Sequence, residues 1–347
     1  MRIRVRVQPR ASRSAFAGEH RSRRIMGRLT KVLLVFVDGV GLGPADRSRN
    51  AFAAAPPPAL RLLLDGRVSA LENAPFLGQR ASLIPLDATF GVEGTPQSGT
   101  GQTALLTGRD AVRLHGRHFG PWVPTRLRPL LLEENVLARA KRAGRDVAFA
   151  NAYPEELVEA GRRALRDGSR LPPYLRAGPP LAALGAGVLT RHTAELERGD
   201  AIASEITNDG WITQLGRTGV SRRSAVEAGG LLVRIAAEHH LTLFAHYATD
   251  TAGHRRDLAA AIIALQRFDE FVRGIIEALD EDTLLIIASD HGNLEDCTTG
   301  HTRNPALCVV AGRGHAELAG SLHDLTDITP AILAVLRVQG SPAELAE

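Results

Sequence analysis

The sequence predicts an α/β protein, a three-layer sandwich whose mostly parallel sheet is covered by helices on both faces. Three observations carry that expectation. Short apolar runs rich in β-branched or aromatic residues recur along the chain, helical patterns lie between them, and acidic residues fall just past their ends. At 347 residues the chain has material for one large domain or two ordinary ones.

The chain opens on a basic segment. Residues 1–25 hold eight arginines against one acid, Glu19, a balance of +7; the whole chain stands at +4, so the remainder carries −3. The pI of about 9.5 therefore belongs to this leader, and nucleic-acid binding by the folded domain is not expected. The leader lacks the apolar core of a secretory signal, and Arg2-Ile3-Arg4-Val5-Arg6-Val7 alternates like a strand rather than a transit peptide. We expect a misplaced start or a fused remnant outside the fold, with the protein proper beginning at Met26 and forming one domain over 26–347.

The first buried strand is Val32–Val37, followed by helical patterns at Gln102–Leu106 and Leu130–Arg142, with Gly144 placed to end the second. Asp146–Ala150 is the next strand. A Pro/Gly/Arg-rich stretch at 168–187 then breaks the alternation and marks a small cap or insertion at about 155–215. Helix Ala225–Glu238, strand Leu241–Ala245, helix Leu258–Leu279, strand Thr283–Ala288 and helix Thr329–Leu336 complete the pattern. No apolar run approaches the length of a membrane span. Cys297 and Cys308 are too few for a disulfide framework and point to a reducing compartment, so the expected location is cytoplasmic.

The acids carry the functional information. Asp38 follows the first strand, Asp250 comes a few residues after Leu241–Ala245, and Asp290 follows Thr283–Ala288. All three lie beyond carboxyl ends of strands, where open parallel sheets gather their ligand sites. His254, His291 and His301 fall close by in sequence. Any one of these acids reads equally as a helix N-cap, and a lone histidine as a structural one. Three of each at matching strand ends point instead to divalent cations, with Zn²⁺ and Mn²⁺ both fitting carboxylate and imidazole ligands. Thr95-Pro96-Gln97-Ser98-Gly99-Thr100-Gly101 is a Gly-rich loop running into a helix. A hydroxyl there sits where backbone N–H groups and the helix dipole attract phosphate, so Ser98 beside a metal is a candidate nucleophile. Without the metal residues it would read as an N-cap.

Taken in order, Val37-Asp38-Gly39, Ser98-Gly99-Thr100-Gly101, Asp250–His254, Asp290-His291-Gly292-Asn293 and His301-Thr302-Arg303-Asn304-Pro305 resemble the alkaline phosphatase superfamily, on the side of its cofactor-independent phosphoglycerate mutases. Gly253-His254-Arg255-Arg256-Asp257 with Phe268-Asp269 is similar to phosphopentomutases. The resemblance covers roughly 30–110 and 240–340. It implies one metal held by Asp250, His254 and His301, a second held by Asp38, Asp290 and His291, and Ser98 bridging toward the phosphate. The chain departs from the mutases at Gln102, where they usually have histidine, and in having only about 140 residues between Arg109 and Asp250, where phosphoglycerate mutases carry a large second domain.

The expected activity is thus phosphoryl transfer on a small phosphorylated metabolite through a phosphoserine, as in those mutases. The alternative is a phosphatase or phosphodiesterase on the same scaffold with no mutase activity. Arg303, Arg109, Arg113 and His118 are the candidate substrate-binding groups, arginine because its planar paired donors match phosphate and carboxylate. Asp257, one helical turn from His254, either orients that histidine or lies on a helix surface. Gly39-Val40-Gly41-Leu42-Gly43-Pro44 misses the dinucleotide fingerprint at its last position, and no P-loop pattern occurs.

Overall fold

The four runs read as strands build one half of a single seven-stranded sheet. The computed structural model describes residues 31–338; the basic leader and the start proposed at Met26 lie outside the described residues. The strands are β1 (Lys31–Val37), β2 (Phe76–Leu77), β3 (Ala81–Leu86), β4 (Val147–Phe149), β5 (Leu241–His246), β6 (Thr283–Ala288) and β7 (Ala306–Ala311). Their spatial order is β2-β3-β7-β6-β1-β5-β4. Pairings β6–β1, β1–β5 and β5–β4 are parallel, whereas β6–β7, β7–β3 and β3–β2 are antiparallel.

The sheet is therefore mixed, which qualifies the expectation of a mostly parallel one. The antiparallel half consists of the strands that the sequence pattern does not reveal. β7 is ALCVVA, six buried residues without alternation, and pattern alone cannot separate such a run from buried helix. β3 contains Pro85, which argues against a central strand. It is tolerated because the two residues of β2 pair only with Leu83 and Ser82 and the next bridge on β3 is at Asp87, to Asp324, so neither calls on an N–H at Pro85.

Period-two geometry turns β1 into the divider between two cores. Val32, Leu34 and Phe36 face one cluster, and Leu33, Val35 and Val37 face the other. The first cluster is closed by α1 (Ser98–Thr107), α2 (Val136–Arg142), α3 (Gly178–Gly185) and, further along the chain, Ile328–Val335. The second is closed by α4 (Ala225–Ala237) and α6 (Leu258–Ala278), with α5 (Ala248–His254) leading from β5 toward α6. Helices on both faces of the sheet give the expected three layers.

Two helices differ from their sequence pattern for identifiable reasons. The single run at Leu130–Arg142 is broken at Asn135, whose side chain accepts from Ala138 N–H at 3.0 Å and donates to Leu131 O at 2.8 Å. An asparagine able to cap both neighbours outcompetes a continuous helix. Asp257 is the N-cap of α6, accepting from Ala259 N–H at 2.9 Å. Asp269, part of the phosphopentomutase-like pattern, is buried in the second core and accepts from the N–H groups of Ala59 and Leu60, both at 2.9 Å. Its role here is to cap the helix Pro58–Leu63.

Residues 155–215 contain the helices Glu155–Asp167, α3, Thr193–Arg198 and Asp209–Thr213. Leu196, Trp211 and Val220 form a small separate cluster with Ala152, Ala201 and Ala203, whereas α3 is part of the main core beside α1. Among the described residues no helix is long and apolar enough to cross a membrane.

The α4–α6 contact is close enough to test. A Cβ on Gly274 would lie 2.0 Å from Val226 O, and one on Gly229 would lie 2.3 Å from Phe271 O. Both obstacles are backbone and cannot swing aside. Alanine improves helix propensity by about 1 kcal/mol over glycine, but overpacking of this kind costs about 1–3 kcal/mol or more. Gly274→Ala is expected to lower the urea midpoint despite its better propensity; an unchanged or raised midpoint would show that the helices separate freely.

Candidate metal centre

The strand ends on one edge of the sheet bring all six predicted ligands together. Asp38 leaves β1, Asp290 and His291 leave β6, Asp250 and His254 sit on α5 just after β5, and His301 lies in the loop to β7. They form two groups, Asp250–His254–His301 and Asp38–Asp290–His291, each with its ligand atoms within 4.8 Å of one another. In the first, Asp250 Oδ2 is 3.2 Å from His254 Nε2, Asp250 Oδ1 is 3.5 Å from His301 Nε2, and the two Nε2 atoms are 3.1 Å apart. In the second, His291 Nε2 lies 3.4 Å from Asp38 Oδ1 and 3.6 Å from Asp290 Oδ2.

Ser98 is the first residue of α1. Its Oγ is 2.9 Å from His291 Nε2. The approach depends on glycines: a Cβ on Gly99 would lie 2.1 Å from Trp122 O, and one on Gly101 would lie 2.7 Å from Asp290 O. The Ser98-Gly99-Thr100-Gly101 pattern thus lets the start of the helix press against the loop that carries Asp290.

Outer contacts aim the ligands. His301 Nδ1 is 3.0 Å from Pro96 O and His291 Nδ1 is 3.2 Å from Gly292 O. A carbonyl only accepts, so Nδ1–H donates in each ring and Nε2 is the nitrogen turned inward. Gln102 donates Nε2–H to Asp38 Oδ2 at 3.1 Å and accepts at Oε1 from Gly178 N–H at 2.8 Å. Asn293 donates to Asp250 Oδ1 at 2.6 Å. Reading for acids and histidines misses Gln102 and Asn293 in these roles, although Gln102 sits four residues after Ser98 and so on the same helix face.

The fit to divalent cations can be judged from the carboxylates themselves. Asp38 Oδ1 and Asp290 Oδ2 are buried with no hydrogen-bond partner among the described residues. Buried acceptors are normally paired, and these two converge on the inward-facing Nε2 of His291. Burial, then repulsion from Asp290, holds the Asp38 carboxyl well above its usual range, and burial raises Asp290. Burial pulls His291 down, but Asp290 and Asp38 outweigh it and push the imidazole up to about 10. Without a cation the group is electrostatically frustrated, which is the signature of an anionic ligand set awaiting one.

The candidate substrate groups scatter more widely. His118 lines a cleft of about 550 Å³ together with Glu93, Thr95, Arg117 and Gln97, the residue before Ser98. Arg303 is at the rim of the same region, its Nη1 donating to Gly94 O. Arg113 is engaged elsewhere, donating to Phe90 O at 3.1 Å and paired with Asp110 at 3.4 Å. Arg109 is exposed just beyond the far end of α1, about 16 Å along the helix axis from Ser98 at 1.5 Å per residue. Asp257 is engaged as the N-cap of α6 through Ala259 N–H.

Comparison with known proteins agrees with the motifs. The family model described as the metalloenzyme superfamily matches residues 215–339. The chain is 35% identical over 107 residues to the 2,3-bisphosphoglycerate-independent phosphoglycerate mutase of Moorella thermoacetica, covering 28% of this chain and 20% of that protein. It is 42% identical over 91 residues to the phosphopentomutase of Deinococcus radiodurans, covering 25% and 23%. A longer match, 28% over 228 residues, is to the phosphopentomutase of Vibrio campbellii and covers 63% and 52%. The chain thus spans about a fifth of the length of the first two of these relatives. The solved alkaline phosphatase of Thermus thermophilus superposes with a TM-score of 0.49 at 15% identity, covering 95% of this chain and 96% of that one, too distant to bear on the site. Residues 215–339 thus match the metalloenzyme superfamily. The relatives matched are phosphoglycerate mutases and phosphopentomutases, and the side-chain groups of this chain suit divalent metal ions.

Proposed function

We propose that this protein is a two-metal phosphoryl-transfer enzyme acting on a small phosphorylated metabolite through a phosphoserine at Ser98. The observation that carries the reading is the placement of Ser98 Oγ, 2.9 Å from His291 Nε2 and at the start of a ten-residue helix. Asp250, His254 and His301 would hold one ion, and Asp38, Asp290 and His291 the other, with Mn²⁺ or Zn²⁺ suited to these mixed oxygen and nitrogen ligands. Bound there, such ions supply Lewis acidity to phosphoryl oxygens and lower the pKa of a serine hydroxyl.

The chain's own residues do the rest. At the start of α1 the N–H groups of Ser98 and Gly99 face the incoming phosphate, Thr100 N–H being held by Phe119 O at 3.0 Å. Ser98 Oγ attacks phosphorus in line; the Oγ–P bond forms as the bond to the leaving oxygen breaks, and the hydroxyl proton ends on that oxygen. The phosphoserine then passes its phosphoryl group to another hydroxyl, as a mutase requires, or to water. Arg303 and His118 at the cleft are the groups placed to orient the rest of the substrate. Residues 155–215 serve as a small cap, with Gly178 tying that segment to Gln102 and through it to Asp38. Both cysteines are free and buried, in keeping with a cytoplasmic protein.

Hydrolysis is the second reading, and one observation favours it. The His254 side chain is 54% exposed, so water reaches one side of the centre, whereas a mutase must keep water from its phosphoenzyme. Metal-loaded protein assayed on 3-phosphoglycerate, ribose 5-phosphate and an aryl phosphate, following isomer and free phosphate together, separates the two. Isomer without phosphate identifies a mutase and phosphate alone a phosphatase. Inactivity on all three monoesters, with a phosphodiester hydrolysed instead, would refute the monoester reading.

A further inference from the structure

For the two ligand groups to face each other, the loops after β1 and β6 and the approach to β7 must all stop in register. One carboxylate outside both groups touches all three. Glu295 is 1% exposed. Its Oε2 accepts from Gly41 N–H at 2.9 Å and from Asn293 N–H at 2.8 Å. Its Oε1 accepts from the Thr302 hydroxyl and from the Asn304 side-chain amide, the latter at 3.1 Å. Gly41 lies three residues after Asp38, Asn293 two after His291, and Thr302 adjoins His301.

The surrounding backbone is built around this side chain. A Cβ on Gly41 would come within 2.5 Å of Glu295 Oε1, and one on Gly292 within 2.2 Å. Glycine at these positions lets the chain wrap the carboxylate at hydrogen-bond distance. All four donors are neutral, and together they occupy both oxygens, so Glu295 has its partners within the loops. Asn293 extends the connection, since its side chain donates to Asp250 Oδ1 and so reaches the other ligand group.

We propose that Glu295 is a positioning residue that sets both metal groups at once by tying the loop after β1 to both ends of the β6–β7 connection through a single buried carboxylate. The inference rests on the two-metal reading above. Outer-shell partners of this kind typically change metal affinity by about 10- to 100-fold when altered. Glutamine at this position is isosteric but presents an N–H₂ where an acceptor is needed, so at least one loop donor loses its partner.

The test is calorimetric titration of metal-stripped wild type, Glu295→Gln, Glu295→Ala and Asn293→Ala with Mn²⁺ and with Zn²⁺, alongside thermal unfolding of each stripped protein. Glu295→Gln is expected to weaken both binding steps by about 10- to 100-fold in protein that is still folded, and Asn293→Ala to weaken chiefly one. A residue that merely stabilised the fold would lower the unfolding temperature and leave the affinity of the folded protein unchanged. Wild-type affinity at either step in Glu295→Gln therefore overturns the inference. Should Glu295→Ala fail to fold, the glutamine variant decides alone. Wild-type protein that takes up no metal would count against the two-metal reading itself, a result distinct from the comparison between variants.

Discussion

Replacing Ser98 with alanine is expected to abolish turnover and to leave no phosphate on the protein after incubation with substrate. Ser98 Oγ is the hydroxyl that the structure places 2.9 Å from His291 Nε2, and its loss removes the atom that must bond to phosphorus. When a nucleophile acts within a unit of catalytic groups, deleting it costs on the order of 10⁴-fold or more. Thr100, the next hydroxyl on the helix, cannot substitute: it is buried, and its Oγ1 lies against Gln97 O and Phe119 O. The side chain lost is small and the fold should be indifferent, so metal content and unfolding temperature should match wild type. Intact-mass measurement after brief exposure to phosphomonoester checks the first claim and steady-state rate the second. A Ser98→Ala protein that still turned over at the wild-type rate would remove Ser98 from the mechanism and point to direct attack by water.

The ligand groups were legible because their spacing and their position relative to strands both follow from local rules. An apolar β-branched run is a buried strand, and an acid one or two residues past its end stands at the sheet's carboxyl edge whatever the rest of the chain does. Asp38 and Asp290 needed no more than that. The parallel half of the sheet was legible for the same reason, whereas β3 and β7 were not, since ALCVVA carries no periodicity and Pro85 speaks against a strand until the pairing on its outer side is known. Supporting residues were hidden for a different reason. Gln102, Asn293 and Glu295 act through contacts up to 254 residues distant in sequence, and an amide or carboxylate has no pattern that announces such a partner. Arginines present the opposite difficulty, chemically apt at many places but positioned at few. His118 lines the cleft next to Gln97 and Arg303 donates to Gly94 O at its edge, while Arg113 is bound to Asp110 and Arg109 sits beyond the far end of α1.

Removing the metals is expected to abolish activity, and restoring them to release protons. In the metal-free protein, burial and mutual repulsion raise Asp38, burial raises Asp290, and the carboxylates hold His291 protonated up to about 10. A ligating imidazole must be neutral, so at neutral pH each ion taken up by this group displaces at least the His291 proton. The sign follows: apparent affinity rises with pH, by about tenfold per unit for each proton displaced, and levels off only as pH passes the His291 value. Stability of the metal-free protein moves the opposite way. A histidine raised from 6.5 to about 10 stabilises the metal-free fold fully below 6.5 and loses that contribution as pH climbs through 10. Carboxylates with raised values destabilise the fold once they ionise, so the stripped protein weakens with rising pH on both counts while metal binding strengthens. The gap in unfolding temperature between loaded and stripped protein should therefore widen from pH 6 to pH 9. Calorimetry in buffers of different ionisation enthalpy counts the protons directly, and uptake that released none, with affinity flat over that range, would exclude His291 from the ligand set.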